Sequence, residues 1–235
     1  MNSVRVPLLR RALAPLVVRR LGAAGADSGA AAPSLPLTGM RIRDVGCGWG
    51  IFSLALARLG ADVTGLDASE AGVRAASARA SLDPALSSRA RFVHSTIEDF
   101  SPAAASRAAG DGLYDAVVAS EVAEHVADAP QFLAAAAARV SPRGGVFFVT
   151  TINRTPAAFA AAIGVAEYVL RLAPPGTHEY VKFLTPEEVA RAAQRAGLRV
   201  ELTRGLFYDP LSAAWSLCES TQVNFALVAR RDGSA

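Results

Sequence analysis

The stretch Ser120-Glu121-Val-Ala-Glu124-His125 gathers two carboxylates and an imidazole close together. If a helix begins near Glu121, then Glu121, Glu124 and His125 stand at i, i+3 and i+4 and share one face. Two carboxylates and an imidazole on one face suit a divalent cation, with positions left open for substrate and water. The same residues also suit a plain helix start, where acids complement the helix dipole.

A second constellation is Arg41-Ile-Arg-Asp-Val-Gly-Cys-Gly-Trp-Gly50. An apolar run ends at Asp44, glycines fall at Gly46, Gly48 and Gly50, and a helical pattern follows. That reads as strand, tight turn and helix start, in which glycine lets a ligand approach the backbone closely. A later apolar run ends at Leu66-Asp67, where a carboxylate can accept both hydroxyls of a ribose. Together the two segments imply a bound nucleoside.

These groups need a scaffold, and short apolar runs alternating with helical stretches provide one. Strands are predicted at Arg41–Val45, Asp62–Leu66, Arg91–His94, Tyr114–Ala119, Val146–Thr151, Arg199–Thr203 and Asn224–Val228. Helices are predicted over 50–59, 69–81, 129–140 and 186–196. The alternation argues an α/β fold: a seven-stranded, mostly parallel sheet with helices on both faces. Ligands of such sheets sit at the carboxyl ends of the strands, where Gly46 and Asp67 lie. Residues 1–22 are predicted as an N-terminal helix, 23–38 as a Gly/Ala/Ser/Pro linker and 39–231 as the main domain.

The chain has 235 residues, 51% hydrophobic and 19% charged, which is enough core for one domain and excludes wholesale disorder. Net charge is +3, a weak pull on acidic partners, and no nucleic-acid ligand is expected. Cys47 and Cys218 form no metal or redox pattern. No run reaches the ~20 apolar residues that span a bilayer. Residues 1–26 hold Arg5, Arg10, Arg11, Arg19 and Arg20 and no acid. Such a start reads either as a mitochondrial transit peptide or as a helix packing on the domain.

The Gly-x-Gly-x-Gly turn followed by Asp67 resembles the nucleotide turn of class I S-adenosylmethionine-dependent methyltransferases, which have a Rossmann-like fold. The carboxyl-terminal half narrows the resemblance. Thr151-Ile-Asn-Arg154, Ala166-Glu-Tyr-Val-Leu-Arg171, Pro175-Gly-Thr-His178, Lys182-Phe183, Gly205-Leu-Phe-Tyr208-Asp-Pro210 and Trp215-Ser-Leu-Cys-Glu-Ser are similar to the ubiquinone biosynthesis O-methyltransferases, the eukaryotic members especially. Met1-Asn-Ser-Val-Arg5 looks like that family's Asn-x-x-Arg segment, which places the N-terminal helix in the catalytic domain. The family carries an aromatic-rich segment before this point, so the chain reads as truncated at its start. Arg43 also departs from the family, which has an apolar residue there. Buried, it would need a partner, and Asp44 or Asp62 is the expected one.

The resemblance implies S-adenosylmethionine held by Arg5, Asp44, Gly46, Gly48, Asp67, Ile97, Glu98 and Ser120. It implies Mg2+ held by Glu121, Glu124 and His125. The reaction implied is methyl transfer to a phenolic oxygen of a polyprenylated catechol, with His125 as a proton acceptor and His178 on a loop capping the substrate. The lipid tail implies a membrane surface. Residues 154–183 are the expected contact, with Phe159, Ile163, Val165, Tyr168, Val169 and Leu172 flanked by Arg154 and Arg171. Other ubiquinone-biosynthesis proteins are expected partners. The implied location is the matrix face of the mitochondrial inner membrane in a eukaryote, otherwise the cytoplasmic membrane surface. Two alternatives stay open: a methyltransferase for another small molecule, and an inactive scaffold of a ubiquinone-synthesis assembly.

Overall fold

The computed structural model describes residues 1–28, 35–100, 112–160 and 179–233. Its strands are β1 (Arg41–Val45), β2 (Asp62–Asp67), β3 (Ala90–His94), β4 (Ala116–Ser120), β5 (Val146–Ile152), β6 (Leu198–Asp209), β7 (Ala214–Cys218) and β8 (Asn224–Arg231). They form one sheet in the order β3-β2-β1-β4-β5-β8-β6-β7. The pairs from β3 to β5 are parallel, and β8, β6 and β7 continue the sheet in antiparallel fashion. The sheet therefore has eight strands where seven were expected. The added strand is β7, which pairs with a β6 running well past Thr203. The hairpin turns at Asp209, whose carboxylate accepts from Leu211 N and the Ser212 hydroxyl.

Helices α2 (Ile51–Arg58), α3 (Glu70–Ser81), α5 (Ala129–Ala137) and α7 (Pro186–Arg195) fall where periodicity places them. Short α4 (Pro84–Ser87) and α6 (Pro156–Ala158) complete the set with α1 (Asn2–Ser28). Side chains fix the starts. Ser69 accepts from Gly72 N, Asp128 accepts from Gln131 N, and Thr185 with Glu188 forms a capping box.

α1 continues to Ser28, into the stretch read as linker. It packs on the domain through Val4, Leu8, Leu9, Leu13 and Leu16, in one buried cluster with Phe52, Leu56, Phe148 and Val228. Arg20 forms a two-pronged contact with buried Asp115, at 2.8 and 3.0 Å. Arg230 donates to the Ala12 carbonyl at 2.6 Å. The basic N-terminal segment is thus part of the folded domain.

Arg43 is completely buried, and neither Asp44 nor Asp62 pairs with it. Its guanidinium lies between two rings, 3.7 Å from the centroid of Phe100 and 4.1 Å from that of Tyr114. Strand alternation explains this: Asp44 points to the opposite face of the sheet, toward Ser53 of α2.

Candidate functional site

The glycine turn lies between β1 and α2 at the carboxyl end of the sheet. Gly46, Gly48 and Gly50 all have left-handed backbones, with φ of 73°, 52° and 73°. The turn is pinned by Gly46 N and Cys47 N, which donate to the Leu66 carbonyl at 2.8 and 2.9 Å. A Cβ on Gly46 would lie 2.3 Å from Val122 Cγ2, whereas one on Gly48 would meet nothing within 4 Å. Gly46 is therefore required by packing, and Gly48 keeps an open space clear.

Asp67 ends β2 beside this turn. Its two carboxylate oxygens accept from Gly48 N at 2.7 Å and Ser69 N at 2.8 Å. Each oxygen keeps a further lone pair, so the carboxylate is oriented in advance for hydroxyl donors. A cavity of about 670 Å3 opens here. Gly46, Gly48, Asp67, Ile97 and Glu98 line it, together with Glu121 and His125. Ser95, Thr96, Gln131 and Phe132 also line it and had not been singled out. Ser95 and Thr96 were within reach of sequence reasoning, because they follow β3 at the same sheet end.

Asp44, Arg5 and Ser120 stand behind this wall rather than on it. Asp44 is buried and accepts from the Ser53 hydroxyl at 2.5 Å. Burial pushes its carboxyl up to about 6, against the pull of Ser53 and Arg5. Arg5 donates to Ser120 Oγ at 2.6 Å and to Asn2 Oδ1 at 2.7 Å, and lies over the Phe52 ring. Ser120 Oγ also contacts Thr150 Oγ1 at 2.7 Å. α1 is thereby tied to the end of β4, next to the cavity.

The expected helix from Glu121 does not form. Residues 121–128 are turns, bends and irregular backbone, and α5 starts only at Ala129, after the Asp128 cap and with Pro130 in its first turn. The cause is steric. Val122 folds back over Gly46 directly after β4, and Glu121 takes a left-handed φ of 54° to permit it. Glu121 and His125 reach the cavity, while Glu124 does not line it. Glu124 is buried and accepts from Thr151 Oγ1 at 2.7 Å. Burial and the neighbouring Glu121 push its carboxyl up to about 8. Asn224 Nδ2 lies 3.5 Å from Glu121 Oε2. Among the described residues no three of His, Cys, Asp and Glu are grouped as a metal ion requires. As arranged, the three residues do not fit the expected Mg2+ site. His178 lies outside the described residues, as do Ile163, Val165, Tyr168, Val169, Arg171 and Leu172.

Residues 9–203 match the model of a methyltransferase domain family. Among solved structures, the magnesium protoporphyrin IX methyltransferase of Synechocystis with bound SAH aligns with a TM-score of 0.59 at 19% identity, over 94% of this chain and 84% of that one. The N-methyltransferase NodS of Bradyrhizobium japonicum, in complex with S-adenosyl-l-homocysteine, aligns with a TM-score of 0.54 at 16% identity, over 82% and 78%. These likenesses concern the fold. Sequence relatives are nearer. The ubiquinone biosynthesis O-methyltransferase of Methylobacterium sp. is 47% identical over 83% of this chain and 74% of its own length. The mitochondrial human protein of that name is 36% identical over 97% of this chain, which spans 57% of the human protein. With the nucleotide turn, Asp67 and the Glu121–His125 wall all in place, the chain belongs to the ubiquinone biosynthesis O-methyltransferase family.

Proposed function

We propose that this protein moves the methyl group of S-adenosylmethionine to a phenolic oxygen of a polyprenylated catechol in ubiquinone biosynthesis. One observation carries the reading: a single cavity is lined by Gly46, Gly48 and Asp67 together with Glu121 and His125. The first set suits the cofactor, with Asp67 accepting from the ribose hydroxyls and Ile97 and Glu98 beside the adenine. Arg5 and Ser120, from behind the wall, favour the carboxylate of the methionine part.

A neutral phenol, with a pKa of about 10, is a weak nucleophile. His125 lines the same cavity and is read as the group that takes the phenol proton. Phenolate and sulfonium cancel each other's charge as the methyl passes. The protein therefore has to align oxygen, methyl and sulfur and keep water out, so that their attraction is not screened. Glu121 lines the cavity beside the acceptor, whereas buried Glu124, its carboxyl raised to about 8, is mostly neutral near pH 7. Mg2+ is the finer part of this reading. With Glu124 turned to Thr151, no step is routed through the ion, and its role is an arm of the test below.

A polyprenyl acceptor resides in a bilayer, so the protein is read as meeting a membrane surface. Phe159 and Val181, exposed on either side of 161–178, support that reading. Among the described residues no helix is long and apolar enough to cross a membrane. By analogy with the mitochondrial relatives, a eukaryotic host would place it on the matrix face of the inner membrane, beside other proteins of the pathway.

The test is transfer of labelled methyl to a short-tailed polyprenyl catechol, with Mg2+, with chelator, and with Glu121→Ala/Glu124→Ala. Transfer that the double substitution abolishes, with cofactor binding retained, supports the reaction and its site. A chain that binds cofactor and methylates no catechol would refute it and favour a scaffold role.

A further inference from the structure

A second cavity, of about 690 Å3, lies between α5 and α7. Its floor is apolar or small, with Ala123, Leu133 and Ala134 on the α5 side and Leu184, Ala192 and Ala196 on the α7 side. The alanines create it, because larger residues at Ala134 and Ala192 would close the seam. Charged residues line it as well, Asp128, Arg191 and Arg195 among them, and part of the charge is neutralised: Arg154 pairs with Glu188, and Lys182 pairs with Glu179. Val126, Ala127 and Asp128 line this groove and the catalytic cavity alike, so one short stretch of chain separates them.

We propose that the groove takes the isoprenoid tail of the acceptor whose ring lies in the catalytic cavity. The inference rests on the reading of the acceptor as a polyprenylated catechol. A ring held near Glu121 and His125 has to send its tail out on one side. The Gly46–Gly48 turn, Asp67 and the 95–98 segment occupy the cofactor side. Among the described residues, the 126–128 stretch is where the catalytic cavity adjoins a second volume, one lined in part by Leu133, Leu184 and small alanines. Its size lies in the range of ligand pockets that bury most of an apolar molecule. A tail released to water instead would keep its apolar surface hydrated. Val181, 76% exposed, also lines the groove and marks an apolar exit for the rest of the tail.

The experiment compares a tailless catechol with catechols bearing one and three isoprene units. Methyl transfer and calorimetric binding are both read. The wild-type protein should favour the tailed acceptors in kcat/KM by at least about tenfold, carried in KM. Ala192→Phe should fill the groove and bring the tailed acceptors down to the tailless level. Transfer to the tailless catechol and KM for S-adenosylmethionine should stay unchanged. Ala134→Leu, an exchange at an exposed position between two good helix formers, should do the same if the phenylalanine perturbs folding. Equal use of tailed and tailless acceptors by the wild type would overturn the inference, and so would a tail preference that survives both substitutions. The binding arm separates this from the reaction itself. Tail-dependent binding that Ala134→Leu removes supports the groove even where no methyl is transferred, an outcome that would refute only the proposed reaction.

Discussion

Arg43→Met should stabilise the protein. Arg43 is fully buried, and its Nε, Nη1 and Nη2 have no hydrogen-bond partner. Burial, with Arg139 and Arg41 nearby, lowers its pKa well below the usual guanidinium range, to about 9. That corresponds to about 5 kcal/mol against the buried cation. The faces of Phe100 and Tyr114 offset much of it, at about 2 kcal/mol each for a desolvated pair. Methionine keeps an unbranched chain and makes its own contacts with aromatic rings. The expected gain is about 1–2 kcal/mol near pH 7, measured by urea unfolding at constant slope. The pH dependence gives a second check. Because the folded pKa lies below the unfolded one, the unfolded chain binds more protons above about 9. Stability of the wild type therefore rises with pH above about 9 relative to the methionine variant, and the gap narrows. A loss of more than about 1 kcal/mol on substitution would refute the reasoning, showing that the rings outweigh the lost hydration. So would a gap that ignores pH.

Four further outcomes follow from the site. Gly46→Ala should lose about 3 kcal/mol in thermal or urea unfolding, because its Cβ would strike Val122 and its backbone is left-handed. Gly48→Ala, equally left-handed but in open space, should lose only about 1 kcal/mol yet weaken cofactor binding by calorimetry, and equal losses would contradict this account. Asp44 has its folded pKa raised from 3.8 to about 6, so its favourable contribution is present below the unfolded value and is lost as pH rises through about 6. Ligand-free Asp44→Asn should thus exceed the wild type at pH 7.5 by up to about 3 kcal/mol, and by less at pH 5; parallel profiles would sink the argument. Ser120→Ala removes the acceptor of the 2.6 Å bond from Arg5 and should weaken S-adenosylmethionine binding about tenfold, whereas unchanged affinity would mean that Arg5 is placed without it.

What the sequence makes legible here is local, and what it hides is contact between distant segments. The glycine turn, the acid ending β2 and the capped helices each depend on a few neighbouring residues, and they stand where spacing puts them. β7 does not announce itself, because Ala214–Cys218 is mostly exposed and shows no buried face. It exists through pairing with β6 across the Asp209 turn, a turn marked by Asp209-Pro210 and its neighbours that strand patterning alone passes over. The partner of Arg43 was unreadable for a related reason. Alternation shows that residue 43 is inward, but the rings that meet it come from Phe100 and Tyr114, whose arrival is set by the packing of other segments.

The Glu121–His125 segment makes the same point where it matters for chemistry. The spacing i, i+3, i+4 is indifferent to whether a helix is present, and the signals that start one, Asp128 followed by Pro130, lie beyond it. Val122 has to sit on Gly46, which has no Cβ to oppose it, and this contact forbids a helical continuation of β4. The glycine therefore does two things: it keeps the floor of the cofactor cavity low and it turns the acceptor wall. Glu121 and His125 are consequently delivered to the cavity by a strained turn, while Glu124 is carried inward to Thr151. A Cβ at residue 46 would push Val122 off the turn and displace the Glu121–His125 segment with it, so Gly46→Ala should weaken catechol and cofactor binding in one step.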